Sequence, residues 1–542
     1  MECRVMNKLL LIVAAGFVAF MCDCTSPVAG GSSQQGNGVM MGCVVSSDGS
    51  PSEGTQIRIL PVDYFSNPDS SSENREVITA VTDASGNFSV TGVDTGNYAV
   101  EANDLESSAA LVRLSLDEEY DTANTGTLSL APYARISGLV TGTEADQQLF
   151  VQIRGLERLV TVESDGTFSI DNIPEGAFDL RVISGDSIAE AVDILDVEVA
   201  SEKTVALAVQ ADGRFAHVLH LNTAASGAAV AGDVTDFPVL VRLTGKNFTF
   251  SQAQKDGSDL RFLNTRAGLL PYEIERWDPV AEVAEVWVKV DTVFGDDSTQ
   301  TMTMCWGNAD VAAPEGTAMV FDTANGFAGV WHLSDDGDDI RDATANRFTG
   351  ANAETSTGAG IIGSAREFTD GDYIKISGLC KAPQSVTLSA WVRYDSTTEG
   401  QDVISIGDIV LIRVDDIIFD NGTAGSYHND SIVTDTNYAY ASSGRFLAKT
   451  GWHHLAYSID AAAHHQTLYI DGVERAVSND SNPIYYEGLG TDTYFGIHGN
   501  GKTNFNYIGL LDEVRIHSSA VSSDWVKLCF MNQQMVDKLV MW

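Results

Sequence analysis

Basic residues are scarce in this sequence. Its 542 residues include 32 Lys and Arg against 75 Asp and Glu, which gives a net charge of −43 at pH 7. A field of that sign repels the phosphates of nucleic acids and the anionic headgroups of membranes. The composition therefore excludes nucleic acid as a partner and leaves an N-terminal lipid anchor as the route to a membrane. Apolar residues still make up 44% of the chain, enough to form buried cores.

Several common catalytic patterns are also missing. The sequence contains no HExxH, no GxSxG and no ExDxE run, so it does not indicate a metalloprotease, a serine hydrolase or a laminarinase-type glycosidase. Cysteine is sparse, and beyond residue 24 Cys43, Cys305, Cys380 and Cys529 stand alone without metal-ligand spacing. We expect buried thiols, with a Cys380–Cys529 disulfide as the alternative. The chain is predicted to be non-catalytic, with no cofactor-binding residues.

The N-terminus carries a targeting signal. Lys8 precedes an apolar run at 9–21, which suits a secretory signal because it is too short for a stable membrane anchor. Cys22 follows the run, and this arrangement resembles a bacterial lipoprotein signal, which implies acylation of Cys22. Met21 departs from that pattern, where a small residue is usual, so ordinary cleavage a few residues later stays open. We assign the signal peptide to 1–24 and expect an exported protein of the cell envelope, at the outer membrane or cell surface.

Residues 25–37 are rich in Gly, Ser and Gln and are predicted to form a flexible tether. Beyond the tether the sequence repeats itself. SGNFSVTGVDTGNY at 85–98 aligns with DGTFSIDNIPEGAF at 165–178, and apolar residues alternate between glycine turns in both copies. This pattern indicates two small β-sandwiches, at 38–131 and 132–211.

The two copies resemble carboxypeptidase-regulatory-like and Cna-B-type modules. The resemblance implies a prealbumin-like sandwich of seven strands that serves as a stalk. Some relatives form an internal Lys–Asn isopeptide bond. The first copy contains no lysine, which excludes that crosslink, and the second has only Lys203, so none is expected there either.

A third segment, 212–318, carries a series of strand motifs. They are DGSDLRF at 256–262, LPYEIERW at 270–277, AEVWVKV at 284–290 and MTMCWGN at 302–308. In this order they resemble a bacterial domain of unknown function found just before laminin-G-like modules, which implies a further β-sandwich. Glu273 and Glu275 share one strand face, but Arg276 is expected to pair with them, so a glycosidase role is the minor alternative.

The segment 319–525 holds the most extensive set of motifs. They are GVWHL at 329–333, VTLSAWV at 386–392, GWHHLA at 451–456, YIDG at 469–472 and GLLDEVRI at 509–516. The set resembles the laminin-G-like, concanavalin A-like jelly roll, which implies two antiparallel sheets packed face to face. The family role of Trp331, Trp391 and Trp452 is core packing. Residues 526–542 are expected to form a C-terminal tail. The predicted fold class is all-β, a multidomain chain of β-sandwiches ending in this jelly roll.

Two kinds of ligand site are predicted on the jelly roll. An acidic loop at 335–339 precedes Asp342, and the resemblance implies a structural calcium held by Asp342 and by Asp512 on the closing strand. A solvated acidic loop is the alternative. Adjacent residues in a strand point to opposite faces, so Asp512 and Glu513 are not expected to act together. Tyr427, Tyr485 and Tyr486 are taken as loop aromatics that could contact a ligand.

These features predict a non-catalytic binding or adhesion protein of the cell envelope. The tether, two stalk sandwiches and a connecting domain would present the jelly roll to a glycan or another envelope protein. Two alternatives stay open: a purely structural surface protein, and a polysaccharide hydrolase. The ligand, the membrane leaflet, the oligomeric state and the role of 212–318 are not specified by the sequence, because a fold does not fix a function.

Overall fold

The computed structural model describes residues 38–66, 77–117, 121–142, 148–184, 187–210, 213–308, 319–379, 382–395, 400–416, 422–430, 438–479, 482–501 and 505–542. About 54% of the chain is strand and 4% is helix, so the predicted all-β multidomain class is confirmed. The predicted signal peptide, the tether and Cys22 lie outside the described residues. Within those ranges, no helix has the length and apolar character needed to cross a membrane.

The first repeat forms a compact unit that ends at Tyr133. Its strands are β1 (Gly38–Val45), β2 (Gln56–Pro61), β3 (Ile78–Val81), β4 (Asn87–Val93), β5 (Gly96–Asn103), β6 (Ser108–Leu116), β7 (Thr122–Ser129) and β8 (Ala131–Pro132). One sheet has the order β4-β1-β7, with β1 and β7 parallel, and the other has the order β3-β2-β5-β6-β8. Buried aliphatic side chains and Phe88 form the core of this unit.

The second repeat has the same topology. Its strands are β9 (Ala134–Thr141), β10 (Leu149–Ile153), β11 (Leu159–Thr161), β12 (Thr167–Ile173), β13 (Gly176–Ser184), β14 (Ser187–Val199) and β15 (Thr204–Gln210). In the sheet β12-β9-β15, the central strand β9 again pairs in parallel with β15. Phe168 lies opposite Gly138 as Phe88 lies opposite Gly42, so the two copies match in strand register as well as in sequence.

The third segment continues this architecture. Its strands are β16 (Phe215–Leu221), β17 (Val234–Thr244), β18 (Arg261–Asn264), β19 (Leu269–Leu270), β20 (Tyr272–Asp278), β21 (Val283–Val293) and β22 (Gln300–Trp306). Strands β17, β21 and β20 form a three-stranded sheet in that order. The other strands join the second repeat: β14 pairs in parallel with β16, and one sheet runs β11-β10-β13-β14-β16-β22-β18-β19. The sheet of the second repeat is thus continuous with that of the third segment across the predicted boundary at 211.

The predicted jelly roll consists of two eight-stranded sheets. Its strands are β23 (Phe327–Trp331), β24 (Asp339–Ile340), β25 (Gly350–Ala353), β26 (Ser356–Ala359), β27 (Ser364–Phe368), β28 (Tyr373–Ile376), β29 (Val386–Arg393), β30 (Gln401–Ile406), β31 (Val410–Asp416), β32 (Gly422–His428), β33 (Tyr438–Ser442), β34 (His453–Asp460), β35 (His465–Ile470), β36 (Val473–Asn479), β37 (Thr493–Phe495) and β38 (Gly509–His517). One sheet runs β26-β27-β38-β29-β34-β35-β36 with β23 beside β38, and the other runs β24-β25-β28-β37-β30-β31-β32-β33. Trp331 and Phe495 contribute to the core formed by the two sheets.

The sequence had suggested a C-terminal tail at 526–542, but these residues form part of a helix and a strand. Helix α1 (Ser523–Gln533) begins after the N-cap Ser522 and is followed by strand β39 (Val540–Met541), which pairs with β16. Trp525, Val526 and Leu528 of the helix are buried in one core with residues of both the third segment and the jelly roll. Residues on both sides of position 318 therefore share this core, while the two jelly-roll sheets enclose a second core of their own. The chain from Ala134 onward belongs to one compact unit.

The cysteines of this unit are partly described. Cys529 is a free thiol on α1, and burial raises its pKa to about 12. Cys380, its predicted alternative partner, lies outside the described residues. Cys305 is buried on β22, in agreement with the expectation of buried thiols.

Candidate functional site

A cleft of about 220 Å³ opens on the jelly roll and contains one of the predicted ligand residues. We call it the jelly-roll cleft. It lies where the end of β32, the turn between β34 and β35, and the loop after β36 come together. Its lining consists of Gln384, Tyr427, Ile459, Asp460, Ala461, His464, His465, Asn482, Pro483 and Ile484.

Tyr427 is placed differently from the prediction. It belongs to strand β32 rather than to a loop, and its side chain is only 3% exposed within the jelly-roll core. Its hydroxyl donates a hydrogen bond to the Asn482 carbonyl oxygen at 3.2 Å. Tyr427 therefore supplies part of the cleft wall and fixes the neighbouring loop, and it does not present an open ring face for stacking.

Hydrogen bonds hold the rim of the cleft in place. The Gln384 side chain accepts from the Ile484 N–H at 3.0 Å and donates to the Ile484 carbonyl at 3.3 Å. Ser385 Oγ accepts from the Ala461 N–H at 3.1 Å. These contacts tie both loops that line the cleft to the segment before β29, so the cleft is largely preformed.

Tyr485 and Tyr486 lie beside the cleft rather than in its lining. Both are half-buried against the jelly-roll core. The Tyr485 hydroxyl donates to Glu487 Oε2 at 3.4 Å, and the Tyr486 hydroxyl donates to the Pro383 carbonyl. The structure thus brings the three predicted tyrosines to one end of the jelly roll, although only Tyr427 lines the cleft.

The polar groups of the cleft limit its chemistry. Among the described residues, Asp460 is the one carboxylate in the lining, and its Oδ1 accepts from the N–H groups of Ala462 and Ala463 in the turn. Glycoside hydrolysis usually requires two carboxyl groups on either side of the scissile bond. His464 and His465 also line the opening. The described lining can therefore hydrogen-bond a polar ligand.

A second candidate site is a buried cluster of charged side chains beneath the jelly roll. Nδ1 of His332 lies 2.7 Å from Glu513 Oε1 and 3.5 Å from Glu275 Oε2. Arg515 Nη2 donates to Glu513 Oε2 at 2.7 Å, and Trp287 Nε1 donates to Glu275 Oε2 at 2.8 Å. Among the described residues, Glu275, His332 and Glu513 are the one group of three or more possible ligands close enough to hold a metal ion. We call them the carboxylate–histidine cluster.

Interruptions in the strands create this cluster. The register of β20 against β21 shifts between Ile274 and Arg276, which leaves Glu275 without a paired residue. Strand β38 is bulged opposite Ala390, and its Glu513 has a positive φ of 51°. β-Bulges re-aim side chains in this way. Asp512 and Glu513 are both buried, but they have different partners. Asp512 accepts from the Ile361 and Ile362 N–H groups, whereas Glu513 contacts His332 and Arg515.

The charges in the cluster are strongly perturbed. Burial raises the pKa of Glu275 to about 8. Burial alone would lower the pKa of His332, but the adjacent carboxylates of Glu513 and Glu275 raise it to about 10. For Glu513, burial is outweighed by His332 and Arg515, which lower its pKa to about 2. Arg276 forms its ion pair with Glu285, at 2.6 Å, and not with Glu273 or Glu275 as the sequence had suggested.

Protein donors already surround three of the four carboxylate oxygens of the predicted calcium ligands, Asp342 and Asp512. Both oxygens of Asp342 are occupied: Oδ1 accepts from the N–H groups of Val330 and Thr344, and Oδ2 accepts from the Thr344 hydroxyl and the Phe348 N–H. Asp512 Oδ2 instead accepts from the N–H groups of Ile361 and Ile362.

The acidic loop is also occupied by a cation of the protein itself. Nη2 of Arg366 donates to the Asp335 and Gly337 carbonyl oxygens, both at 2.6 Å. A calcium ion needs six to eight oxygen ligands, and these loop carbonyl oxygens already accept from Arg366. Asp342 is better described as the residue that closes the turn after β24.

The predicted core tryptophans are mostly buried. Trp331 is inaccessible, and Trp391 packs against Phe530 of α1 while its Nε1 donates to Gln533 Oε1 at 2.8 Å. Trp452 is half-exposed, with the Arg393 guanidinium over its ring at 5.7 Å.

Comparison with protein families identifies two domains. Residues 368–527 match the concanavalin A-like lectin/glucanases superfamily, and 256–334 match a domain of unknown function, DUF2341. Both predicted domains are therefore present. The second match runs past 318 and includes strand β23, which pairs with β38 of the jelly roll. No curated protein matches the chain.

Several solved structures are similar to part of the chain. Domain 4 of AbnA, a GH43 extracellular arabinanase from Geobacillus stearothermophilus, in complex with arabinotriose, is 20% identical over 37% of this chain and 97% of its own, with a TM-score of 0.31. The binding domain of Paraclostridial Mosquitocidal Protein 1 is 13% identical over 38% of this chain and 52% of its own, with a TM-score of 0.30. A pentraxin from Limulus polyphemus is 12% identical over 27% of this chain and 70% of its own, with a TM-score of 0.22. The chain spans about half of the second protein's length.

Proposed function

We propose that this protein is an exported, non-catalytic binding protein of the cell envelope whose jelly-roll cleft binds a glycan. The observation that supports this most is the composition of the cleft. Apolar side chains from Ile459, Pro483 and Ile484 stand beside hydrogen-bonding groups from Asp460 and the two histidines. A sugar offers the same combination of apolar ring faces and hydroxyl groups.

The size and charge of the cleft narrow the ligand. At about 220 Å³ it lies below the roughly 300–1,000 Å³ of most small-molecule pockets. It therefore suits one terminal sugar ring better than an extended chain. The net charge of −43 disfavours anionic ligands at long range, so a neutral sugar is the better fit.

A structural role is the second candidate, and a different observation favours it. The second repeat and the third segment share one continuous sheet, and the jelly roll shares a core with the third segment. Such continuity suits a rigid surface element. In that case the jelly roll would contribute to assembly rather than to ligand binding.

Binding of immobilised glycans by the mature chain, residues 25–542, tests the proposal. We expect selective binding of a neutral terminal sugar, with at least a tenfold loss of affinity in His465→Ala and in Asp460→Asn. The Asp460→Asn change keeps a side-chain oxygen for the turn. His453→Gln is the matched control, because His453 pairs with Asp471 outside the cleft lining.

The alternatives predict other outcomes. If no glycan is bound, and the protein instead captures an envelope protein or nothing, the glycan proposal is wrong and the adhesion or structural role gains support. Release of reducing sugars that is lost in Glu273→Gln would instead support the polysaccharide hydrolase alternative.

A further inference from the structure

The carboxylate–histidine cluster lies apart from the jelly-roll cleft and has no part in the proposed glycan binding. Its three side chains come from three different strands or strand ends of one compact unit. Glu275 lies on β20, His332 directly follows β23, and Glu513 lies on β38. From the geometry of this cluster we propose that Glu275, His332 and Glu513 bind a zinc-type divalent metal ion that ties the third segment to the jelly roll.

The spacing of the ligand atoms supports a metal ion. All three lie within 4.8 Å of one another, and His332 Nδ1 is 2.7 and 3.5 Å from the two nearest carboxylate oxygens. Ligands bound to zinc at about 2.0–2.1 Å with tetrahedral geometry are separated by about 3.3 Å. Small side-chain shifts would therefore bring the three atoms around one ion, and the proton that His332 Nδ1 shares with Glu513 would be released to solvent as the metal binds.

One buried atom of the cluster is unsatisfied among the described residues. The Glu275 side chain is 1% exposed, and its Oε1 has no hydrogen-bond partner. A buried carboxylate oxygen without a donor is costly unless a cation approaches it. A metal ion bound by Glu275 would provide that cation.

The surrounding side chains provide the outer contacts that metal ligands usually have. Arg515 holds the second oxygen of Glu513, and Trp287 donates to Glu275. Outer hydrogen bonds of this kind fix the orientation of ligating carboxylates. The same donor set disfavours calcium, because it includes an imidazole nitrogen and few oxygens.

Two backbone distortions hold the ligands in these positions. Glu513 has a φ of 51°, and Leu333, which follows His332, has a φ of 61°. Non-glycine residues in this region are strained, and such strain persists where the surrounding structure requires it. Because the ligands are buried, the ion would enter as the protein folds rather than through a channel.

The test measures metal content in the mature chain after unfolding with chelator and refolding with zinc, manganese or calcium. We expect about one zinc per chain after dialysis and a higher melting temperature than for the chelated protein. Glu275→Gln should lower the affinity for zinc more than tenfold. His453→Gln, which removes a histidine from a simple His–Asp pair at 2.8 Å, should retain the wild-type zinc content.

Other results would overturn the proposal. The proposal is wrong if the refolded wild type retains no zinc, or if wild type and Glu275→Gln retain equal amounts of zinc. It is also wrong if the wild type retains calcium in place of zinc. If the variants fail to fold, the site can still be tested by loading the wild type with cobalt. A visible absorption spectrum typical of tetrahedral cobalt supports the site, and its absence contradicts it.

Discussion

The side-chain amide of Asn532 binds both backbone polar groups of Leu240. It accepts from the Leu240 N–H at 2.7 Å and donates to the Leu240 carbonyl at 3.0 Å. Leu240 lies on β17, an edge strand of its sheet, so these bonds satisfy groups that would otherwise lack a strand partner. Arg242 of the same strand donates to the carbonyls of Asn532 and Gln533 at the end of α1. The C-terminal helix thus closes an open sheet edge.

Asn532→Ala should therefore destabilise the protein markedly. It leaves buried backbone groups of Leu240 without partners, and each such group costs about 1–3 kcal/mol. We expect a loss of about 2–4 kcal/mol in the free energy of unfolding, measured by urea denaturation. Gln534→Ala is the control, since its side chain makes only 3.5 Å contacts within α1. Equal stability of both variants would show that α1 does not support β17.

The contribution of α1 could have been predicted from local sequence signals. Ser522 caps the helix by accepting from the Trp525 N–H at 3.1 Å, and Asp524 lies in its first turn. Ser followed by an acidic first turn and an apolar stretch is a recognised helix start. The all-β character and the repeat were predictable because alternation and glycine turns are local patterns. The two matched domains were predicted from the resemblance of their motifs to known families.

The carboxylate–histidine cluster was not predictable in this way. Alternation assigns Asp512 and Glu513 to opposite faces, and it holds only in a regular strand. The bulge at Glu513 and the register shift at Glu275 depend on how neighbouring strands pair. Likewise, Tyr427 was assigned to a loop because short strands between polar segments carry a weak periodic signal. The positions of the cluster residues and of Tyr427 both depend on pairing between strands that are distant in sequence.

Gly138→Ala tests the packing that the two repeats share. A Cβ on Gly138 would lie 2.4 Å from the Phe168 ring, so the ring or the strand must move. Overpacking of this kind costs about 1–3 kcal/mol. We expect that loss in chemical denaturation, partly recovered in the double variant with Phe168→Leu. Gly337→Ala, where the nearest atom is 4.0 Å away, should change stability little. If Gly138→Ala and Gly337→Ala are equally stable, the proposed packing of Phe168 against Gly138 is wrong.

The melting temperature should not respond to calcium. The oxygens of Asp342 already accept four hydrogen bonds, and Asp512 Oδ2 accepts two. Asp512→Asn keeps an oxygen for the Ile361 and Ile362 N–H groups, so we expect a change below about 1 kcal/mol, within the range of mild substitutions. Differential scanning calorimetry in chelator and in millimolar calcium checks both points. A rise of several degrees in calcium that Asp512→Asn abolishes would restore the calcium site predicted from the sequence.

His517 should make the folded protein sensitive to acid. Its ring is buried between Phe327 and Trp525, with centroids 4.1 and 4.8 Å away, and both of its nitrogens are buried without a hydrogen-bond partner. Burial, reinforced by the positive charge of Arg515, lowers its pKa to about 3. In the unfolded chain a histidine titrates near pH 6.5, so between these two values the unfolded state binds the proton and the folded state does not.

The resulting stability is present above about pH 6.5 and is lost as the pH falls toward 3. Between pH 7 and 4 the contribution of His517 should fall by an amount on the order of 3 kcal/mol. Because carboxylates titrate over the same range, the quantity to measure is the difference between wild type and His517→Phe in urea denaturation at each pH. We expect His517→Phe to lose less stability on acidification than the wild type does. The exposed His464, changed to Phe as a control, should leave the wild-type pH profile unaltered. Parallel profiles for wild type and His517→Phe would mean that His517 is protonated within the folded core.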